Sequence, residues 1–267
     1  MKLNIPTYDY PSDIRGSMLL DHLIQDGCVL LKKFDIDETN LSSTRALFTS
    51  LCESIGDPIS HDAKGTIVWD IQSRTSGTNK KDGVVTYSEH NHEADLHTDS
   101  QYSEYPEDYF ALLTVCPASC GGGQSYVLTL DDLLEDLNSN AQGKSAIEVL
   151  SNTSFPFIIP HVFKLNSHQD SQEYNFGPIL REDEIRFRVD TIQKAIELNP
   201  DFCTNDQIEA FDFLVSTIRS TAKTQKFHLD VGDLLLVNNK TILHGRSSFS
   251  DDRRHLLRVR MNKKVDA

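Results

Sequence analysis

Three His-x-Asp pairs place an imidazole and a carboxylate two residues apart: His97 and Asp99, His168 and Asp170, and His228 and Asp230. In an extended segment such residues point to the same side, so each pair presents two metal-binding groups together. His168 lies in a stretch rich in Asn, Ser and Gln, which is typical of a solvated loop. His228 and Asp230 lie in a predicted strand that leads to the Gly232 turn, so we expect their side chains to point away from a metal site. His97 and Asp99 are therefore the best candidates for metal ligands.

His244 offers a second imidazole near the end of the chain. The segment Gly232 to Arg246 contains a short apolar run, an Asn-Asn-Lys turn and a second apolar run that ends at His244. This pattern predicts two short strands joined by a turn. Two histidines and one carboxylate leave three positions of a metal open, which suits non-haem Fe(II). Since 244 − 97 = 147 residues separate the histidines, the site requires strands that meet in the core, and two unrelated hydrogen-bonded histidines remain an equal alternative.

Four motifs occur together: His97-Thr98-Asp99, a Gly-Gly-x-x-Ser turn that ends at Ser125, Gly-Asp-Leu-Leu-Leu-Val-x-Asn from Gly232, and Leu-His-Gly-Arg around His244. With a later arginine, this set resembles the TauD/TfdA superfamily of Fe(II)/2-oxoglutarate-dependent oxygenases, and most of all its clavaminate synthase-like branch. The resemblance covers roughly Glu89 to Leu128 and His228 to Met261. It implies that His97, Asp99 and His244 bind the iron.

The same resemblance assigns the cosubstrate residues. In the clavaminate synthase-like branch, the arginine that binds the distal carboxylate of 2-oxoglutarate lies fourteen positions past the second histidine, and 244 + 14 = 258 falls on Arg258. Spacings of eleven and fifteen, as in taurine dioxygenase, fall on His255 and Val259, which cannot form a bidentate carboxylate pair. Ser125 stands where relatives place an assisting threonine. Arg246 is a weaker candidate than Arg258 for binding the distal carboxylate.

The remaining arginines near the end of the chain, Arg253, Arg254 and Arg260, are expected to face solvent.

The chemistry implied by the resemblance uses Fe(II), 2-oxoglutarate and O2 to release succinate and CO2 and to oxidise a C–H bond. The protein determines which bond is presented. A carboxylate at Asp99, where related halogenases have glycine, favours hydroxylation or desaturation over halogenation.

Two segments are candidates for binding a small-molecule substrate, and the resemblance implies a free amino acid or a derivative. Glu89 and Asn91 lie just before the ligand pair, and Arg188 and Asp190 belong to an Arg-aromatic-Arg-x-Asp segment. Glu89 or Asp190 would bind an ammonium group, and Arg188 a carboxylate. A solvated charged surface is an equally good interpretation of these residues. The polar stretch Arg74 to Gly83 is either a lid or a simple loop.

The composition argues against nucleic acid and membranes as partners. A formal net charge of −14 argues against nucleic acid or an anionic membrane, and no apolar segment has the length of a membrane span or a signal core. The five cysteines are scattered and odd in number, which favours reduced thiols in a cytoplasmic protein. The oligomeric state stays open.

The predicted architecture is mainly β with flanking α. Strand patterns without βαβ alternation indicate a β-sandwich or barrel wrapped by helices, which the resemblance specifies as a double-stranded β-helix, or jelly-roll, with a helical N-terminal region. We expect a single domain over 1–267, with core motifs at 86–130 and 226–262 and a helical insertion at about 131–222. Helices are predicted over Asp37 to Ile55, Leu130 to Leu137, Thr191 to Leu198 and Asn205 to Ala222.

Two other functions use similar residues. A His2Asp zinc hydrolase would bind a catalytic water on the same ligands, and a non-catalytic β-helix protein would keep the fold for binding. Neither requires Arg258.

Overall fold

The computed structural model describes residues 5–10, 14–37, 39–62, 64–73, 87–160 and 173–264. The predicted loop Arg74 to Gly83 and the pair His168 and Asp170 lie outside these residues.

Fifteen strands and six helices form in the described residues. The strands are β1 Thr7–Asp9, β2 Cys28–Lys32, β3 Asp57–Ile59, β4 Trp69–Gln72, β5 Ala94–His97, β6 Tyr109–Cys116, β7 Ser125–Thr129, β8 Phe155–Ile158, β9 Tyr174–Gly177, β10 Leu180–Arg181, β11 Glu184–Ile185, β12 Gln225–Phe227, β13 Leu234–Asn238, β14 Ile242–Arg246 and β15 His255–Asn262. The helices are α1 Gly16–Gln25, α2 Leu41–Ile55, α3 Leu130–Asn138, α4 Ala141–Asn152, α5 Val189–Leu198 and α6 Asn205–Ser220.

Two sheets make up the core. The larger has the order β1-β2-β13-β6-β15-β3, with β4 also paired to β15, and the smaller has the order β12-β7-β14-β5. Apolar residues of both sheets pack into one cluster between them, among them Leu30, Phe110, Val127, Leu235, Ile242 and Leu256. The interior between the sheets is therefore apolar along most of its length.

Strand β15 shows how alternation separates two environments. Leu256 belongs to the cluster between the sheets, whereas Leu257, Val259 and Met261 pack in a second cluster with residues of α1 and α2. Because side chains alternate across a strand, Arg258 and Arg260 share the inner face with Leu256. Two charged residues therefore point into the space between the sheets.

Helices cover both outer faces. Helices α1 and α2 pack on the larger sheet, and α2 begins after Asn40, whose side chain accepts a hydrogen bond from the Ser42 backbone N–H. On the other side, α3 to α6 bury an apolar cluster against Leu96, Leu128 and Leu243 of the smaller sheet. Three of the predicted helices (Leu130 to Leu137, Thr191 to Leu198 and Asn205 to Ala222) fall in this second layer, and the fourth corresponds to α2.

The predicted class, mainly β with flanking α, is confirmed. Within the described residues, no helix combines the length and the apolarity that crossing a bilayer requires. All five cysteines are free thiols.

Candidate metal centre and adjoining cavities

Strand pairing brings the two predicted histidines together. Strand β14 runs antiparallel to β5 with His244 opposite His97, and the two ring centroids lie 4.2 Å apart. Asp99 follows β5 by two residues. The 147-residue separation along the chain is thus closed by one cross-strand pair.

The three side chains have the geometry of a metal site. Asp99 Oδ1 lies 3.6 Å from His97 Nε2 and 3.8 Å from His244 Nε2, and the ligand atoms of all three residues lie within 4.8 Å of one another. Ligands about 2.1 Å from a common first-row ion are separated by at most about 4.2 Å, so the two Asp99 distances fit such an ion. Two imidazoles and one carboxylate are the donor set of non-haem Fe(II).

A backbone contact orients the His97 ring. His97 Nδ1 lies 2.7 Å from the Asp95 carbonyl oxygen, and its Nε2 faces Asp99. Burial, and second the neighbouring His97, lower the pKa of His244 to about 3. The His244 ring is therefore neutral and available to a cation.

Asn239 fixes the backbone of Asp99. The Asp99 N–H donates to Asn239 Oδ1 at 2.8 Å, and Asn239 Nδ2 donates to the carbonyl oxygens of Asp99 at 3.1 Å and Glu107 at 3.0 Å. Asn239 is buried and closes the Gly-Asp-Leu-Leu-Leu-Val-x-Asn motif. The motif asparagine thus ties the turn before His244 to the third ligand.

Arg258 lies directly beside the metal ligands. Its Nη1 donates to Asp99 Oδ2 at 2.9 Å. Burial alone would raise the pKa of Asp99, but Arg258 and the two histidines hold it well below the usual range. Asp99 is therefore a carboxylate with one oxygen facing the histidines and the other facing Arg258.

The expectation that Arg254 and Arg260 face solvent is wrong. Arg254 is 6% exposed, and burial lowers its pKa to about 9, with the charge of Arg246 as the second cause. The Arg260 side chain is 12% exposed and donates to Ser100 Oγ and the Ser60 carbonyl. Arg253, with a side chain 75% exposed, does face solvent. Alternation along β15 explains Arg260, which shares the inner face with Leu256 and Arg258, whereas Arg254 lies just before the strand and lines the cavity between the sheets.

An inner cavity extends from the metal ligands into the space between the sheets. Its lining includes His97, Asp99, Phe110, Leu112, Ser125, His244, Arg246, Arg254, Leu256 and Arg258. Ser125 lies opposite Arg246, and Val127 opposite His244, so Ser125 sits two residues, roughly 6.6 Å, beyond the histidine level. A Cβ on Gly123 would lie 3.2 Å from Arg254 Nε. Ser125 and Arg254 thus belong to the end of the cavity away from the metal ligands.

A second cavity, which we call the outer cavity, adjoins two of the same three candidate ligands. Its lining includes Tyr87, Ser88, His97, Asp99, Ser100, Gln101, Tyr102, Arg188, Arg258 and Arg260. Arg258 lines both cavities. It therefore stands at the boundary between them.

Of the four predicted substrate residues, Arg188 lines the outer cavity. Asp190 accepts hydrogen bonds from Arg188 Nε at 2.6 Å and Nη2 at 2.7 Å, and the Arg188 guanidinium lies 3.9 Å from the centroid of the Tyr87 ring. Burial would lower the pKa of Arg188, but Asp190 and Tyr87 raise it. The two predicted residues therefore form an ion pair with each other.

Glu89 and Asn91 line neither cavity. Glu89 ends a short 3-10 turn that begins at Tyr87, and the Asn91 carbonyl accepts from the Phe249 N–H. Tyr87 and Ser88 of the same segment do line both cavities. The segment predicted to line the pocket, Ser88 to Glu93, thus contributes Ser88, while Glu89 was selected for its charge and Tyr87, one residue before the segment, was missed.

The sequence and the structure were compared with known proteins. The sequence pattern of the taurine catabolism dioxygenase TauD, TfdA family matches residues 2–260, whereas none of the curated proteins searched matches this chain. Among solved structures, asparagine oxygenase in complex with Fe(II), 2S,3S-3-hydroxyasparagine and succinate superposes with a TM-score of 0.70 at 18% identity, over 93% of this chain and 78% of that one. The non-heme iron oxygenase OrfP in complex with Fe and alpha-ketoglutaric acid gives a TM-score of 0.65 at 18% identity, over 93% and 79% of the two chains. At this identity the structural likeness establishes the fold, while the match of the family pattern covers nearly the whole sequence. The chain therefore belongs to the taurine catabolism dioxygenase TauD, TfdA family, which confirms the superfamily predicted from its motifs.

Proposed function

We propose that this protein is an Fe(II)- and 2-oxoglutarate-dependent dioxygenase that hydroxylates an unactivated C–H bond of a free amino acid or an amino-acid-like small molecule. The observation that carries the proposal is the convergence of His97, Asp99 and His244 at the mouth of a cavity with a buried arginine at its far end. The two facing sheets are consistent with a double-stranded β-helix core in a single domain. We keep the clavaminate synthase-like branch as our assignment, because the alternative spacings of eleven and fifteen past His244 fall on His255 and Val259.

His97, Asp99 and His244 would hold the iron, leaving three positions open. When bound, iron, 2-oxoglutarate and O2 supply the oxidation, in which 2-oxoglutarate becomes succinate and CO2 and a substrate C–H bond is oxidised. The chain itself orients the groups: Asn239 holds Asp99 in place, Phe110 packs 4.5 Å from the His244 ring, and Leu112 and Leu256 keep the inner cavity apolar. The open positions suit a bidentate cosubstrate and O2, which a single metal-bound water in a hydrolase does not require.

Two arginines are available to the carboxylates of 2-oxoglutarate. The distal carboxylate of 2-oxoglutarate is two methylene groups beyond the keto carbon, so its partner should lie away from the metal. Arg258 instead lies beside the metal site and donates to Asp99. Arg254 lies deeper, just before the same strand and at the same end of the inner cavity as Ser125, and has no carboxylate partner among the described residues. We therefore assign the distal carboxylate to Arg254 and Ser125 and place Arg258 beside the metal-proximal groups, in contrast to the role that spacing alone predicts for Arg258.

An amino acid substrate is supported by the relatives. One solved structure of asparagine oxygenase contains 2S,3S-3-hydroxyasparagine, and one of OrfP contains (3S)-hydroxy-L-Arg. The outer cavity beside the metal ligands is lined by hydroxyl groups and arginines, which suits a small polar molecule. Arg188 and Asp190 stay our candidates for shaping this cavity, and Glu89 and Asn91 for contacts made as the substrate enters. A cytoplasmic location agrees with the five free thiols.

Anaerobic titration of the Fe(II)-loaded protein with 2-oxoglutarate tests the proposal. Chelation of iron by the cosubstrate is expected to produce a weak visible charge-transfer band that saturates with 2-oxoglutarate. The His244→Ala variant, which removes one ligand from a folded core, is the control and is expected to lose the band. A folded, iron-loaded wild-type protein without the band would refute the proposed function.

A further inference from the structure

We infer that the outer cavity selects a substrate with a net negative charge, a dicarboxylic amino acid or a close analogue, and that Arg188 enforces this choice by neutralising Asp190. This inference rests on the proposed function, because the outer cavity is taken as the substrate site of the oxygenase.

The charges around the two cavities are unbalanced. The described residues that line the cavities or interact electrostatically with their arginines contribute five arginines (Arg188, Arg246, Arg254, Arg258 and Arg260) and four carboxyl groups (Glu93, Asp99, Glu107 and Asp190), an excess of 5 − 4 = 1 positive charge. Fe(II) and doubly ionised 2-oxoglutarate cancel each other. Burial and the nearby Asp99 raise the pKa of Glu107, which weakens its contribution to the negative side. The site therefore retains positive charge after metal and cosubstrate are bound.

Three of these carboxyl groups already face an arginine at short distance. Asp99 accepts from Arg258 at 2.9 Å, Asp190 from Arg188 at 2.6 Å, and Glu107 lies 3.7 Å from Arg260. Among the described residues that line the outer cavity, no carboxylate is left to receive a cationic side chain. By contrast, the buried Nε atoms of Arg258 and Arg260 have no hydrogen-bond partner within the part of the chain that the structure describes, so these two arginines retain donors that an anion satisfies.

The negative charge that compensates this excess must come from the substrate side chain. The α-ammonium and α-carboxylate groups of a free amino acid cancel, so a neutral or basic amino acid leaves the excess positive charge uncompensated or increases it. A second carboxylate compensates it and supplies acceptors of the kind that guanidinium groups bind best. In a buried site, opposite charges at contact distance attract each other and like charges repel. The resulting difference in binding free energy corresponds to far more than a tenfold difference in affinity.

Arg188 is the residue that sets this selectivity. Its guanidinium is buried against the Tyr87 ring, while the Asp190 side chain that it neutralises is 34% exposed. Without Arg188, Asp190 becomes an unpaired carboxylate at the edge of the outer cavity, and it would then attract an ammonium or guanidinium side chain.

The test compares aspartate and glutamate with their amides and with lysine and arginine. In protein that shows the 2-oxoglutarate charge-transfer band, we measure the shift of that band on anaerobic addition of each amino acid, and succinate release in air. We expect aspartate or glutamate to exceed its own amide and both basic amino acids by about tenfold or more in kcat/KM. Preference for a basic amino acid or an amide, or no response to either dicarboxylic amino acid, would overturn the inference while leaving the proposed function intact. Loss of the band itself would instead refute the proposed function.

Two variants test the role of Arg188. Arg188→Met exposes Asp190 and is expected to lower the ratio of dicarboxylic to basic substrate activity by about tenfold or more. The double variant Arg188→Met/Asp190→Asn restores the wild-type charge and is expected to recover most of that ratio. If Arg188→Met does not fold, Asp190→Asn replaces it and is expected to preserve or increase the ratio. A folded Arg188→Met with the wild-type ratio, or Asp190→Asn with a reduced ratio, would refute the role of Arg188.

Discussion

Replacing Arg254 by Met is expected to weaken 2-oxoglutarate binding strongly without destabilising the ligand-free protein. Removal of one partner of a buried, hydrogen-bonded charge pair costs about 2–5 kcal/mol of binding free energy, which is about 30-fold to a few thousand-fold in Kd. In the ligand-free protein, however, Arg254 is 6% exposed and has no carboxylate partner among the described residues. Its desolvation opposes folding, so the free energy of unfolding of Arg254→Met should stay at or above the wild-type value.

The assay is anaerobic titration of each Fe(II)-loaded variant with 2-oxoglutarate, together with urea unfolding of the metal-free protein. The matched control is Arg253→Met, which removes an exposed arginine next to Arg254 that pairs with Asp251 and should leave the Kd unchanged. Arg258→Met is the competing variant, and we expect it to weaken 2-oxoglutarate less than Arg254→Met does. A larger loss for Arg258→Met would refute our assignment and restore the role predicted from its spacing to His244. A loss of stability in Arg254→Met would show that Arg254 is structural.

Three substitutions and one labelling experiment test separate parts of the structure. Ser125→Ala should remove one hydrogen bond to the distal carboxylate and raise the Kd of 2-oxoglutarate roughly fivefold, about 1 kcal/mol, with unchanged iron affinity. Asn239→Leu releases the Asp99 backbone and should weaken Fe(II) binding about 10–100-fold in a metal titration, because the third ligand is no longer held. Gly143→Ala should lower the free energy of unfolding by about 1–3 kcal/mol in urea, because the new Cβ would lie 1.8 Å from the Leu137 carbonyl oxygen. Backbone N–H groups, first that of Ser250, lower the pKa of the exposed Cys120 thiol to about 7, so its alkylation by iodoacetamide should rise with pH around a midpoint near pH 7, whereas a midpoint near 9 or protection from the reagent would contradict this.

The three candidate metal ligands, which the structure brings together, could be identified in the sequence because most of their signal is local. His97 and Asp99 are two residues apart in an extended segment, and His244 ends an apolar run beside a turn. The prediction that the two histidines meet depended on the resemblance to the family motifs, because the 147 residues between them carry no direct information about the contact. The structure adds Asn239, whose place in the motif is explained by its hydrogen bonds to Asp99.

The arginines of β15 could not be predicted because they break the pattern on which prediction relies. Charged residues normally mark the solvent face of a strand, yet here Arg258 and Arg260 share the inner face with Leu256, as does Arg254 just before the strand. Here arginines lie on the inner face, against the usual rule, and only the pairing with the neighbouring strands shows which face is the interior.

Helices α1 and α4 show a different limit. Both lie in regions predicted to be helical, but neither was predicted as an individual helix, since α1 follows a polar, proline-containing segment and α4 contains Gly143 and two serines, which are weak helix formers. Packing decides both: Leu19 and Leu23 of α1 are fully buried, and α4 contributes Ala146 and Leu150 to the cluster on the smaller sheet. Such tertiary stabilisation is invisible in local propensity.

The cross-strand pair of His97 and His244 has a consequence for how the enzyme matures. In the unfolded chain only His97 and Asp99 of the three candidate ligands are close together, because His244 reaches them when β14 pairs with β5. The complete site therefore requires the fold, and we expect a chelator to remove the metal and leave the protein folded and able to bind iron again.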